Sequence, residues 1–268
     1  MESLTISLGV AYDQITFDLV EGDFDVDPQS AVGPRGAIVI RPFDGGQVHI
    51  SGAQKARFTT PAELFDPAPT AAPELDPEQS AEGEIGFHHT FGETFGYELT
   101  GFYQSTTDVV RGPYDPVNRD FGRAVNAGNE TNLGGTVRVT ANPMEGLYTR
   151  ADYTYLSVRF DSEDRTLFPE DVFWTPAHRA NFLIGGRLPG GFGANIGASY
   201  SSETADPESE DREDLSAFGL LHAKAYYNYR NFMEIWAGAN NILDVYYETA
   251  RDYPMPGRFI HGGLSLMF

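Results

Sequence analysis

Hydrophobic and polar residues alternate one by one along most of this chain. Leu4, Ile6, Leu8, Val10 and Tyr12 share one parity, against Thr5, Ser7, Gly9 and Ala11 on the other. A side-chain period of 2 is the signature of a strand whose two faces meet different surroundings. Shorter alternating segments follow near 36–41, 48–58, 81–91, 97–110 and 137–141. The second half repeats the pattern more cleanly. Ala151, Tyr153 and Tyr155 oppose Arg150, Asp152 and Thr154, and Phe192, Ala194, Ile196, Ala198 and Tyr200 oppose Gly193, Asn195, Gly197 and Ser199. The chain ends on Ile260, Gly262, Leu264, Leu266 and Phe268 in one parity. Taken together the pattern predicts about twelve strands of roughly 10 residues, the length a tilted strand needs to cross a bilayer.

The connections alternate as well. Phe43-Asp44-Gly45-Gly46, Gly92-Glu93-Thr94, Asn142-Pro143-Met144-Glu145-Gly146, Pro189-Gly190-Gly191 and Tyr229-Arg230-Asn231 are short turn signals. Between them fall long polar stretches near 17–31, 59–80, 111–129, 161–177, 204–215 and 241–257. Such alternation puts tight turns at one end of an up-and-down sheet and long loops at the other, as in outer-membrane barrels. Counted back from Phe268, both chain ends then lie on the short-turn side. A soluble sandwich would show Leu, Ile and Val inside and charge outside. Here the apolar parity mixes Ala, Gly, Tyr and Val, and the polar parity carries opposed charges such as Arg150 and Asp152, as a watered lumen would.

Composition narrows the reading. There is no Cys, so a disulfide framework and a thiolate metal site are excluded. No run approaches the roughly 20 apolar residues of a membrane helix. The abundance of aromatic residues, 14 Tyr and 19 Phe, suits interface girdles. A net charge of −21 argues against nucleic acid as a partner. The acid is densest at 161–164 and 208–214, and reads as a solvated loop surface or as loop carboxylates for cations. The start, Met1-Glu2-Ser3-Leu4-Thr5, has no basic and apolar leader, so no signal peptide is expected.

Several segments then resemble the C-terminal barrel portion of TonB-dependent outer-membrane receptors. Asn240-Asn241-Ile242-Leu243-Asp244-Val245-Tyr246-Tyr247 is similar to that family's N-L-F-D-x-x-Y, and Tyr253-Pro254-Met255-Pro256-Gly257-Arg258 to its Y-P-x-P-G-R. Leu264-Ser265-Leu266-Met267-Phe268 resembles its closing strand. Asn126-Ala127-Gly128 followed by Gly134-Gly135 resembles N-A-G-x-x-x-x-x-G-x-E, with Thr136 at the Glu position. Phe58-Thr59-Thr60-Pro61-Ala62-Glu63-Leu64-Phe65 resembles F-R-x-P-x-x-x-E-L-F, with Thr for Arg. Leu75-Asp76-Pro77-Glu78 with Glu84 is similar to L-x-P-E-x-x-x-x-x-E-x-G, and Thr175-Pro176-Ala177-His178-Arg179 to T-P-x-H-R.

The resemblance implies an all-β, antiparallel, up-and-down transmembrane barrel. Residues 1–268 would form its C-terminal half, out of about 22 strands around a plug, with no plug domain in this chain. It implies location in the outer membrane of Gram-negative bacteria and contact with its lipids and lipopolysaccharide. The barrel-assembly machinery would read the Leu264, Leu266 and Phe268 signal. TonB would be engaged only through an N-terminal part outside this chain. The implied activity is energised import of a scarce nutrient such as an iron chelate (a siderophore), cobalamin or a glycan. A stand-alone passive channel of about twelve strands, closed by pairing 4–12 with 260–268, is the alternative. An autotransporter translocator would need a pore-threading helix before Leu4.

Candidate chemistry is sparse. Glu98, Arg138, Arg150, Asp152, His222, Lys224 and Glu234 fall on the polar parity and are expected to line the lumen. Tyr114, Asp115, Arg119, Trp174, Tyr246, Tyr247 and Arg251 fall in long stretches and are the candidate cargo contacts. His88 and His89 are expected at a predicted short, periplasmic turn; adjacent strand residues point to opposite faces, which disfavours a metal pair. No Ser-His-acid constellation is apparent, so neither an enzyme, a metal nor a cofactor is expected.

Overall fold

The computed structural model describes residues 3–17, 27–64, 75–112, 122–165, 168, 175–205, 214–230 and 232–266, and the backbone alone at 114–115 and 120–121. Twelve strands form one antiparallel sheet in chain order: β1 (Ser3–Ile15), β2 (Gln29–Arg41), β3 (Gly46–Arg57), β4 (Glu78–Phe91), β5 (Phe95–Arg111), β8 (Val125–Met144), β9 (Leu147–Asp161), β10 (His178–Arg187), β11 (Phe192–Ser201), β12 (Phe218–Tyr229), β13 (Met233–Asn240) and β14 (Phe259–Leu266). Between β5 and β8 a two-residue ladder pairs β6 (Tyr114–Asp115) with β7 (Asp120–Phe121). The one short helix among the described residues is α1 (Pro61–Leu64). Among these residues β1 pairs only with β2, and β14 only with β13, so both outer strands are sheet edges. Among the described residues, the 4–12 to 260–268 pairing that a closed twelve-strand channel requires is not formed.

Register keeps one parity on one face across the whole sheet. Leu4 and Ile6 lie opposite Ile40 and Ile38, which lie opposite Val48 and Ile50, which lie opposite Phe87 and Ile85. The row continues through Leu99, Val137 and Tyr153 to Ala180 and Tyr200. A one-residue slip anywhere would exchange the faces, so the alternation read from the sequence is what sets the register. Among the described residues nothing packs over the apolar face. Leu8 is 86% exposed, Val10 71% and Ile260 72%. A water-soluble sheet buries such a face against a second layer; this one is built to meet an apolar medium.

Burial instead concentrates at the long-loop end. Leu64, Leu75 and Val110 form one cluster, and Val109, Ala127, Phe160 and Phe168 another. Both lie above the level where alternation is strict.

Several boundaries differ from the sequence reading. β2 starts at Gln29, β4 at Glu78 and β8 at Val125, so strands invade the stretches expected as loops. Their extra residues are mostly polar, so the alternation signal fades while backbone pairing continues. The turn expected over 142–146 shrinks to Glu145-Gly146, because β8 runs on to Met144 past a register shift after Ala141. His88 and His89 lie within β4 rather than at a turn, on opposite faces.

Candidate functional site: the polar face and the long-loop rim

The polar face carries the predicted lining residues. Glu98, Arg138 and Asp152 are register partners across β5, β8 and β9. Arg138 donates to Glu98 at 3.0 Å, Arg150 Nε lies 3.3 Å from Asp152, and Asn181 Nδ2 donates to Asp152 at 2.8 Å. Lys224 sits 3.8 Å from Glu234 and 5.0 Å from the centroid of the Trp236 ring. His222 lies on the same face opposite Gly197. The β3–β4 pair adds a ladder of its own, with His49 2.8 Å from Glu84 and Lys55 2.6 Å from Glu82. These partners are part-exposed, so each pair contributes modestly to stability, on the order of 0–1 kcal/mol. Their arrangement makes a wall of opposed, ion-paired charges. Thr136, at the family's Glu position, meets Thr154 Oγ1 at 3.0 Å. No group of three or more His, Asp or Glu side chains able to hold a metal occurs among the described residues.

At the rim, the motif residues hold the roots of the long loops. Asn126 Oδ1 accepts from Asp76 N–H at 2.9 Å, and its Nδ2 donates to Asp76 O and Asp108 O. One amide thus ties the β3–β4 connection to the β5 bulge. Gly128, at φ 150°, lets the backbone of Asp161 pass where a Cβ would collide. Thr60 and Glu63 form a reciprocal cap on α1: Thr60 N–H donates to Glu63 at 2.7 Å, and Glu63 N–H donates to Thr60 Oγ1 at 3.3 Å. Arg57 bridges Glu63 at 2.9 Å and Glu78 at 2.6 Å. Burial opposes ionisation of Glu63, but hydrogen bonds from Thr60 and Arg57 outweigh it and hold its carboxyl below the usual range. Arg111 pairs with Glu130 and lies 4.1 Å from the centroid of the Phe160 ring.

The β13–β14 loop is folded by its own motif. Asn241, 3% exposed and at positive φ, donates to Val245 O at 2.8 Å and accepts from Val245 N–H at 2.9 Å. Asp244 accepts from Arg258 N–H at 2.7 Å, and Arg258 Nε donates to Ile242 O at 2.8 Å. The motif residues of these segments therefore answer a structural need. Of the candidate cargo contacts, Tyr246 is exposed and hydrogen-bonded to Glu248, while Tyr247 turns against Phe218, centroids 4.5 Å apart. Arg251 sits at the tip of the same loop. Tyr114 is described by its backbone in β6 only; Arg119, Trp174 and Phe268 lie outside the described residues, and Leu264 and Leu266 end the edge strand β14 on the apolar face.

Sequence reasoning passed over the Arg57–Glu63–Glu78 and Arg111–Glu130 rim pairs. The Thr-Pro-x-Glu spacing at 60–63 was the available signal for the first. Interface girdles were expected from the aromatic content; what the sequence did not single out is the cluster at the short-turn end of the apolar face, where His89 lies 5.0 Å from Phe43 and 4.1 Å from Phe91 by ring centroids. Tyr103, Tyr153, Tyr155, Tyr227 and Tyr229 all project on that face.

A meander with one outward apolar face, one ion-paired face and long connections at one end has the make-up of an outer-membrane barrel wall. The family model described as TonB dependent receptor-like, beta-barrel matches residues 1–242, and the chain belongs to that family. Among solved structures, it is similar to the FrpB iron transporter from Neisseria meningitidis, with TM-score 0.78 and 17% identity over 97% of this chain and 43% of that one. It is also similar to BauA, the ferric preacinetobactin receptor from Acinetobacter baumannii, with TM-score 0.75 and 15% identity over 97% and 40% of the two chains. The copper transporter OprC matches with TM-score 0.72 and 17% identity over 90% and 41%. The chain thus spans about two fifths of the length of these structures. No curated protein sequence matches it.

Proposed function

We propose that this chain is the C-terminal part of the barrel of an outer-membrane receptor that imports a scarce nutrient with energy drawn through TonB. The observation that carries the reading is a twelve-stranded sheet, in the receptor family, with unpaired edges at both β1 and β14. Exposed edges are a liability unless covered, and further strands of the same receptor would cover them. By their descriptions the related structures are an iron transporter, a ferric preacinetobactin receptor and a copper transporter, which favours a metal chelate as cargo over cobalamin or a glycan. In this reading Glu98, Arg138, Arg150, Asp152, His222, Lys224 and Glu234 line the lumen. Tyr246 and Arg251, with Tyr114, Arg119 and Trp174, offer cargo contacts from the loops. Leu264, Leu266 and Phe268 form the signal for barrel assembly, and the apolar face meets outer-membrane lipid.

The test is uptake in the source cell. Deleting the gene should abolish uptake of one member of a panel of ferric and cupric chelates, and deleting the gene for TonB should give the same loss. Uptake that depends on this gene but persists without TonB would replace the receptor with a passive channel.

A further inference from the structure

The apolar face has one charged island. Among the described residues, the only Asp, Glu, Lys or Arg at register-paired outward positions of the twelve strands are Arg159 and Asp161, near the loop end of β9. Asp161 is paired with Arg165 at 3.2 Å. Arg159 is exposed, pairs in register with Thr131, and has no ion pair among the described residues. In a chain of net charge −21, an unpaired guanidinium on the outward face is out of keeping with its surroundings.

Below it the same face is notched. Tyr153, Ala180 and Tyr200 are register partners on β9, β10 and β11, and the next row reads Ala151, Phe182 and Ala198. The two tyrosines stand two strands apart, about 10 Å, with only a methyl group between them. These six residues line a groove of about 400 Å³ that opens outward. Its upper lip is polar: Tyr153 OH and His178 Nδ1 lie 2.7 Å apart, and the Tyr155 ring is 5.3 Å from that imidazole. Arg159 stands four residues beyond Tyr155, roughly 13 Å along the strand. The sequence of features, from an apolar slot through an aromatic collar to a free cation, follows the profile of a lipid from acyl chain to headgroup.

We propose that this groove and Arg159 form a binding site for a phosphate-bearing lipid of the outer leaflet. One acyl chain lies in the slot at Ala180 between Tyr153 and Tyr200, the His178–Tyr153 pair meets the ester region, and Arg159 pairs with the phosphate. A guanidinium is suited to this because it presents a fork of donors to phosphate oxygens. The inference rests on the membrane reading above, which puts the long-loop end at the outer leaflet.

The test uses the protein produced from its own gene, extracted from membranes and exchanged into phosphatidylcholine nanodiscs doped with bis-phosphorylated lipid A. Native mass spectrometry after mild delipidation should find one lipid A retained. Arg159→Gln and Ala180→Phe should each cut retention at least tenfold, whereas Arg179→Gln, one strand over on the polar face, should leave it unchanged. Ala180→Phe projects outward and should keep the heat-modifiable migration of the folded barrel, so its loss of lipid would not be a loss of fold. Retention unchanged in both groove variants, or lost equally in Arg179→Gln, overturns the site. A protein that inserts normally yet retains no lipid A overturns this inference alone; one that fails to enter bilayers overturns the membrane reading with it.

Discussion

Ile196 offers the sharpest test of which medium the apolar face meets. It is the fifth of ten residues in β11, about 13–17 Å along the strand from each end. Its register partners are Ile184 and Ala223, both on the same face, and it is 48% exposed with no layer above it among the described residues. Replacing it with Arg in a lipid-facing, mid-depth position costs about 2–4 kcal/mol, a shift of roughly 30- to 1000-fold in the folding equilibrium. Ser199 lies three residues away on the polar face, opposite Asn181 and Leu220. Ser199→Arg places the same charge in water and should cost under about 1 kcal/mol. The measurement is urea titration of the protein folded into phosphatidylcholine vesicles, followed by tryptophan fluorescence and checked by heat-modifiable migration. If Ile196→Arg stays within about 0.5 kcal/mol of the parent, or if Ser199→Arg loses as much, the apolar face is not lipid-facing. A soluble sheet would give the opposite order, because an arginine on a solvated face is welcome.

Two further outcomes follow from the rim. Asn241→Ala removes both hydrogen bonds that close the β13–β14 loop on Val245 and should cost about 1–3 kcal/mol, read as faster amide exchange at Val245 with β11 and β12 unaffected. Glu63 has a lowered pKa, so its contribution is complete above its ordinary value of 4.5 and is lost as pH falls through the depressed folded value. Exchange at the Leu64 amide, which donates to Thr60 O, should therefore accelerate beyond its intrinsic rate below about pH 4, and Glu63→Gln should abolish that acid-dependent step.

Much of this architecture was legible because period-2 alternation is a local property. Leu4 through Tyr12 declare a two-faced strand without reference to any neighbour, and Asp44-Gly45 or Pro189-Gly190 declare a turn from their own conformational preferences. The lining pairs were half-legible: parity placed Arg138 and Asp152 on the polar face, but only register made Glu98, Arg138 and Asp152 partners in one row. The rim was the least legible. Asn126 joins Asp76 and Asp108 across 50 and 18 residues of chain, and no periodicity reports such a bond. Strand ends at Gln29, Glu78 and Val125 were misplaced because alternation weakens where both faces meet water.

The sequence alone therefore determined the strand count, the two faces, the alternation of turns and loops, and the family resemblance, since each is written in spacing and local composition. Tertiary structure decided what depends on residues far apart meeting: the register, the unpaired edges at β1 and β14, the clamps at the loop roots, and the placing of Arg159 above the Tyr153–Ala180–Tyr200 notch. Three strands must be brought side by side before that notch exists.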